Sequence, residues 1–286
     1  MFLKILSNDD PELEPFKEKL SRHVRQAEVL DMPYWVFFEG ADPVGVVDVG
    51  REPVILLEPP GTPLSTVRAI NPDRPRETLE EFASRSLELS REKEVEYSYF
   101  SVSTGHDAVV SAFEEVGFRE LADTYRMVCP LQGPYEPSGG LRFEGVKREE
   151  LDVFIEHAIE CMSGSPDVIL TMILENLKKL KGTYEELLDL WYGLETLFQV
   201  HADGELVGIL DLNVKEGVVS NIGVAPKHRG KGYGRQIMLF GLRALEEEGR
   251  ERASLRVHVD NGRAISLYES LGFSVTDRIK HLIWRK

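Results

Sequence analysis

Residues 222–235 hold the densest concentration of groups able to bind or activate a ligand. They read Ile222-Gly223-Val224-Ala225-Pro226-Lys227-His228-Arg229-Gly230-Lys231-Gly232-Tyr233-Gly234-Arg235. Glycines alternate at 230, 232 and 234, so the main-chain amides can face a ligand with no Cβ in the way. The apolar periodicity that follows, through Leu242 and Leu245, predicts a helix beginning at this loop. Its positive end adds to the amides and makes an anion site suited to a phosphate or diphosphate. Lys227, Arg229, Lys231 and Arg235 place positive charge here in a chain whose net charge is −15. The local sign opposes the global one, which favours a specific anion site over a general basic surface.

Two familiar phosphate loops do not fit. A P-loop closes on Gly-Lys-Ser/Thr, and no such triplet is present. A dinucleotide fingerprint needs G-x-G-x-x-G opening a helix early in a βαβ unit, whereas the spacing here is G-x-G-x-G and falls late in the chain. What stands is Val-x-Pro (224–226) followed by Arg-x-x-Gly-x-Gly (229–234). A second pattern lies downstream, Asn261-Gly262-Arg263-Ala264-Ile265-Ser266-Leu267-Tyr268-Glu269-Ser270-Leu271-Gly272-Phe273, after an expected strand at 253–259. Together the two resemble the coenzyme-binding motifs A and B of the GCN5-related N-acetyltransferases (GNAT), in the family's order. The resemblance covers about half the chain, from near Leu141 to Lys286. An ordinary strand-to-helix turn is the plain alternative for the first motif alone, and the second motif counts against it.

The resemblance implies acetyl-CoA as co-substrate and transfer of its acetyl group to an amine, either a small molecule or a peptide, by direct attack. In that reading Ile222, Gly223 and Val224 offer main-chain groups to the pantetheine arm, and Arg229, Gly230, Lys231, Gly232, Tyr233 and Gly234 hold the pyrophosphate. Asn261 caps the following helix and presents its amide to the coenzyme. Tyr268 protonates or hydrogen-bonds the departing thiolate, and the amide of Val224 is a candidate oxyanion donor. No metal is expected. The general base stays open: Glu195, His258 and Glu160 are candidates, and so is a chain of waters. Asp211 is set aside as structural because Asp48 occupies the same place in the other half of the chain. A CoA-binding regulatory or scaffold protein that has lost its chemistry is the competing class.

The elements that must position these residues follow from periodicity. Strands are expected at 34–38, 44–49, 54–57, 95–102, 141–146, 197–201, 206–214, 218–224, 253–259 and 279–284. Helices are expected from Pro75 through Leu89 and at 108–116, 148–162, 166–181 and 184–193. The class is α/β with a mixed sheet, in two tandem GNAT-like domains: residues 1–131, a Gly/Pro-rich linker at 132–140, and 141–286. The two halves repeat each other. Pro43–Val49 parallels Leu206–Leu212, and Ala112–Phe118 parallels Leu267–Phe273. Where the second half has Tyr268 and Asn261, the first has Phe113 and His106. Prolines 60, 63, 72 and 75 stand where alternating glycines would be needed, so the first copy is expected not to bind CoA.

Composition sets the outer bounds. At 286 residues and 42% hydrophobic content, the chain is expected to be a soluble globular protein of one or two domains. The acidic balance speaks against nucleic acid as the main partner. No apolar run approaches the ~20 residues that span a bilayer, so no membrane partner is expected. Met1–Leu6, followed by Asp9, Asp10 and Glu12, is too short for a signal peptide. Cys129 and Cys161, one on each side of the expected boundary, suggest free thiols in a reducing cytoplasm. The acceptor is expected to meet the stretch His157–Asp167, including Cys161 and Ser163-Gly164-Ser165-Pro166, whose composition does not identify it. The oligomeric state is not legible.

Overall fold

The computed structural model describes residues 3–23, 27, 32–52, 57–59, 61–137, 140–179 and 185–286. Three parts of the expected pattern lie outside them: residues 54–56 of the strand at 54–57, the helix ends at 180–181 and 184, and Ser138–Gly139 of the expected linker. The chain forms two compact units, Met1–Asp123 with Ile279–Lys286, and Thr124–Arg278. The division falls inside a strand, at 123/124, and again at 278/279. The Gly/Pro-rich segment instead belongs to the second unit, where the Gly133 amide donates to Glu246 Oε1 at 2.8 Å and Tyr135 packs on the core. Both cysteines, free and buried, therefore fall in the second unit.

In the first unit the strand order is β1 (Lys4–Ser7), β2 (Tyr34–Glu39), β3 (Asp42–Arg51), β4 (Pro63–Ile70), β5 (Tyr97–Ser103). Residues 279–285, the last part of β12 (Ser274–Arg285), complete it antiparallel to β5, from Ile279↔Ser103 to Arg285↔Tyr97. Helix α1 (Arg76–Glu92) leaves β4, and α2 (Asp107–Glu115) leaves β5. Leu79, Phe82, Ala83 and Leu87 of α1 recur at helical spacing and are buried. The Phe82 ring lies over Gly45, where a Cβ would come within 2.3 Å of it. Phe113 of α2 stacks on Phe100, with ring centres 4.5 Å apart, and meets Phe118 edge-on.

The second unit repeats this plan. From Thr124, β6 (Arg119–Pro130) lies antiparallel to β11 (Arg252–His258), and the order continues β10 (Val218–Val224), β9 (Glu205–Asn213), β8 (Thr196–Ala202), β7 (Leu141–Gly145). Helices α3 (Leu151–Met162), α4 (Val168–Lys179) and α5 (Glu185–Leu194) come between β7 and β8. Helix α6 (Tyr233–Glu247) links β10 to β11, and α7 (Gly262–Glu269) follows β11. Strand alternation sends Leu210 and Leu212 to one face, against Ile237, Met238, Leu242 and Leu245 of α6. Ile209 goes to the other, with Phe154, Ile155 and Ala158 of α3. Gly208 is the counterpart of Gly45, since a Cβ there would come within 2.7 Å of Ile237 Cδ1.

The turn after the last helix of each copy is also shared. Gly117 and Gly272 sit at φ +112° and +93°. Phe118 N donates to Phe113 O at 3.0 Å, as Phe273 N does to Tyr268 O at 3.1 Å. No described helix is long and apolar enough to cross a membrane.

Three strands, β1, β4 and the long β6, are additions to the expected pattern. Pro63 opens β4 and Arg68 interrupts it, masking the alternation, while buried Asp123 and Thr124 do the same for β6.

The C-terminal strand is structural for the first unit, where Leu282 is fully buried. Leu282→Ala is expected to cost about 2–5 kcal/mol. Hydrogen exchange should show the loss first in the amides of β4 and β5. Loss beginning in β9 and β10 would contradict this assignment.

Candidate functional site

The site begins where two strands part. β10 and β11 run parallel but are paired only at Val218↔Ser254, whereas in the first unit β4 and β5 stay paired from Leu64↔Tyr97 to Val67↔Phe100. Beyond Val218, β10 keeps its antiparallel partner β9, through Asn221↔Asp211, Ile222↔Leu210, Gly223↔Ile209 and Val224↔Gly208. Ala225 N donates to Val207 O at 3.0 Å. The alternation of an antiparallel ladder then commits Gly223 and Asn221 to β9 and turns the amides and carbonyls of Ile222 and Val224 toward β11. With β11 gone from that edge, the amides of Ile222 and Val224 and the carbonyl of Ile222 face a cleft of about 750 Å³, while the Val224 carbonyl accepts from Arg229.

The glycine loop closes one end of the cleft. A short 3₁₀ turn, Pro226–His228, leads into Gly230 and Gly232 at φ +79° and +83°. An L side chain is strained there, and a Cβ at either glycine would meet nothing within 4 Å. Among the described residues, the amides of Gly230, Lys231, Gly232, Tyr233 and Gly234 take no main-chain acceptor. Together with the start of α6 they form a nest of donors at a helix N-terminus. Gly234 lets α6 approach Leu267 of α7, at 3.4 Å from a notional Cβ.

Arg229 serves differently from the rest. Its guanidinium donates to the carbonyls of Val224 (3.0 Å), Cys161 (3.1 Å) and Ser163 (2.7 Å). It thus ties the end of α3 to the end of β10. The Lys231 side chain is not part of the cleft lining and reaches toward His228 Nδ1, 3.4 Å away. Ile222, Gly223, Val224, Arg229, Gly230, Gly232, Tyr233, Gly234, Asn261 and Tyr268 all line the one cleft.

Asn261 and Tyr268 form the wall supplied by α7. Asn261 is the N-cap, its Oδ1 accepting from Ala264 N at 3.3 Å. Its counterpart His106 makes no such cap. Tyr268 is buried, and burial pushes its phenol up to about 12. It is therefore neutral at any physiological pH and can only donate or accept a hydrogen bond.

The opposite wall is the segment 161–167. Gly223 is required there, because a Cβ would come within 2.8 Å of Cys161 Cβ and 3.0 Å of Met162 Cγ. Burial raises the Cys161 thiol to about 12, helped by the charge of Glu160 and opposed by Arg229, so it is not a nucleophile. Asp167 caps α4 through Leu170 N at 3.0 Å and pairs with Arg256 of β11 at 3.1 Å. Neither Asp167 nor Arg256 carries a sequence signal for this contact, which exists only once β11 faces the loop. His157, expected among the acceptor contacts, instead bonds Gln199 at 3.0 Å.

Of the residues weighed as base, His258 lines the cleft, with its Nδ1 accepting from Asp260 N at 3.2 Å. Glu160 is exposed and lies off the cleft. Asp211 is buried beneath the floor and accepts from Asn221 Nδ2 at 2.7 Å. Desolvation pushes it up to about 8, the Asn221 bond pulls it down, and the Glu195 charge raises it further.

Residues 169–273 match the model of the acetyltransferase (GNAT) family. The mycothiol acetyltransferase of Streptomyces avermitilis is 39% identical over 88 residues, covering 29% of this chain and 29% of that one. That of Nocardiopsis dassonvillei is 43% identical over 79 residues, covering 28% and 23%. The chain thus matches less than a third of the length of these curated relatives. Among solved structures, a tandem GNAT protein from the clavulanic acid biosynthesis pathway shares 16% identity and a TM-score of 0.62, over 99% of this chain and 98% of that one. A GCN5-related N-acetyltransferase from Sphaerobacter thermophilus gives 15% identity and a TM-score of 0.59, over 88% and 80%. At such identities the structural likeness speaks for the fold.

Asp211 makes stability depend on pH with a definite sign. A carboxyl whose pKa is higher folded than unfolded takes up a proton on folding, so its contribution falls as pH rises from near ~4 to about 8. Asp211→Asn keeps an acceptor for Asn221. It is expected to match the parent near pH 4 and to exceed it by a few kcal/mol at pH 8 in denaturant titrations. A difference independent of pH would refute the burial argument.

Proposed function

We propose, from the match of residues 169–273 to the acetyltransferase (GNAT) family, that the second unit transfers an acetyl group from acetyl-CoA to an amine by direct attack. The observation that carries the reading is the parting of β10 from β11. It leaves a free strand edge between a nest of amides and a buried tyrosine. A coenzyme with a diphosphate, an amide-bearing arm and a thioester has complementary groups in that order.

The fit can be followed residue by residue. The amides of 230–234 bind the diphosphate, and open space above Gly230 and Gly232 lets it approach the main chain. Lys231 adds charge without direct contact, and Arg229 acts by holding the 161–163 segment to Val224. Ile222 and Val224 pair with the arm as an added strand would. Acetyl-CoA supplies an activated thioester. The Val224 amide, directed into the cleft, stabilises the oxyanion that develops as the amine adds. Much of the remaining acceleration comes from holding two reactants in one cleft.

Tyr268 hydrogen-bonds the leaving sulfur. With its phenol at about 12 and a thiol near ~8.5, complete proton transfer is uphill by roughly 5 kcal/mol. Stabilising the thiolate through a hydrogen bond is therefore its main contribution.

The first unit binds no coenzyme in this reading. Its β4 and β5 stay paired where the cleft would open, the Arg68 guanidinium pairs with Asp48, and Phe113 fills the core where Tyr268 faces the cleft. The name shared by the curated relatives supports a small-molecule acceptor.

Incubation with acetyl-CoA and a panel of primary amines (glucosamine, spermidine, lysine and an aminoglycoside), read by thiol release, tests the proposal. Amine-dependent release is expected. Tight CoA binding without it would favour a non-catalytic CoA-binding protein. Tyr268→Phe should lower kcat roughly 10- to 100-fold while CoA affinity stays within about twofold. Unchanged kcat would remove Tyr268 from the mechanism.

A further inference from the structure

The strand bulge at the cleft floor brings a hydroxyl and a carboxylate together in a way that none of the family motifs describes. The β9–β10 register shifts between Val219 and Asn221, so Ser220 is an extra residue without a partner on β9. A bulge of this kind re-aims side chains next to functional sites. Ser220 lines the cleft, and its Oγ donates to Glu195 Oε2 at 2.8 Å. Glu195 lies just before β8, half-buried beneath the floor, its amide donating to Trp191 O at 3.1 Å.

Among the described residues, no lysine or arginine is paired with Glu195. β9 presents Asp211 and Asn213 to it, β10 presents Ser220, and Asp189 of α5 is engaged with Arg148. Among the described residues, neither Glu195 nor Asp211 meets a lysine or arginine within ion-pair distance. The first unit supplies a cation to its buried Asp48 from Arg68, the extra residue of a bulge two positions past Thr66, the partner of Asp48. In the second unit the bulge falls at a different register position, Ser220 just before Asn221, the partner of Asp211, and the described residues supply no comparable positive charge.

We propose that the missing cation is the incoming ammonium group, and that Glu195, acting through Ser220, removes its proton before attack. The inference rests on amine acetylation in this cleft. Ser220 Oγ takes a proton from the ammonium nitrogen as its own hydroxyl proton passes to Glu195 Oε2. The products of that step are a neutral amine, an intact serine and a neutral Glu195. The amine lone pair then forms the C–N bond, the C–S bond breaks, and a second amine proton accompanies the thiolate beside Tyr268. Glu195, being half-buried, returns its proton to solvent. Burial raises the Glu195 carboxyl against the hydrogen bonds of Ser220 and Asn213, which brings it closer to the amine it must deprotonate. In these terms Glu195 is a positioning and proton-holding residue and Ser220 is the group that touches substrate.

The test uses the full chain and the fastest amine of the panel. Glu195→Gln keeps an acceptor for Ser220. It is expected to lose about 100-fold in kcat at pH 7, with acetyl-CoA affinity unchanged, and to recover progressively toward pH 10 as the amine loses its proton unaided. Ser220→Ala should show the same pH-dependent loss, and Ser220→Thr, which restores the hydroxyl, should regain most of it. The serine pair decides the matter if the glutamine variant does not fold. Activity within twofold at pH 7, or a loss equal at every pH, would overturn the proposal and leave acetyl transfer standing. No turnover by the parent with any amine would sink both.

Discussion

An unpaired strand edge inside a folded sheet is costly, and the site depends on that one departure from regular pairing. Main-chain amides and carbonyls removed from both water and partners are worth on the order of 1–3 kcal/mol each. The structure tolerates the open edge of Ile222 and Val224 because it faces a cleft rather than the core. The first unit shows the alternative on the same plan, with the corresponding strands zipped over 64–67 and 97–100. A single change in how far two parallel strands run together separates a groove able to accept an extended ligand from a closed sheet.

The rest of the second unit keeps that opening in shape. Gly208 and Gly223 admit close neighbours on either side of the strand pair, Ile237 on one face and Cys161 on the other. Arg229 fastens the end of α3 to the end of β10 through three carbonyls. Asp167 and Arg256 join the covering segment to β11. Beneath the floor, Asp211 and Asn221 occupy the positions held by Asp48 and Thr66 in the first unit, with a different answer to the charge. Duplication preserved the frame while the polar residues diverged, as expected when function resides in a site grafted on a fold.

The glycine spacing at 230–234 and the cap-to-tyrosine interval from Asn261 to Tyr268 were legible from the chain alone, because each demands a particular residue for a local reason. Positive φ needs glycine, a helix start needs a short polar cap, and one helical stripe joins Ala264, Leu267 and Tyr268. The strands β9 and β10 were legible because apolar residues dominate Leu206–Leu212 and flank Ser220-Asn221 within Val218–Val224. Strand β4 was not, since Pro63, Thr66 and Arg68 imitate a loop, and Arg68 is explained only by an aspartate twenty positions earlier in the chain. The role of Arg229 was hidden for a similar reason. Its position in the motif suggests an anion, but its guanidinium meets carbonyls contributed by a helix some 66–68 residues away. Ser220 with Glu195 depends on a bulge, and bulges leave no periodic trace.

Amide hydrogen exchange on addition of CoA tests the central claim most directly. If the strand edge and the glycine nest receive the coenzyme, the amides of Ile222, Val224 and residues 230–234 should gain protection together, while those of β4 and residues 59–75 in the first unit stay unchanged. Protection confined to other residues, or none at CoA concentrations that saturate binding, would contradict the account.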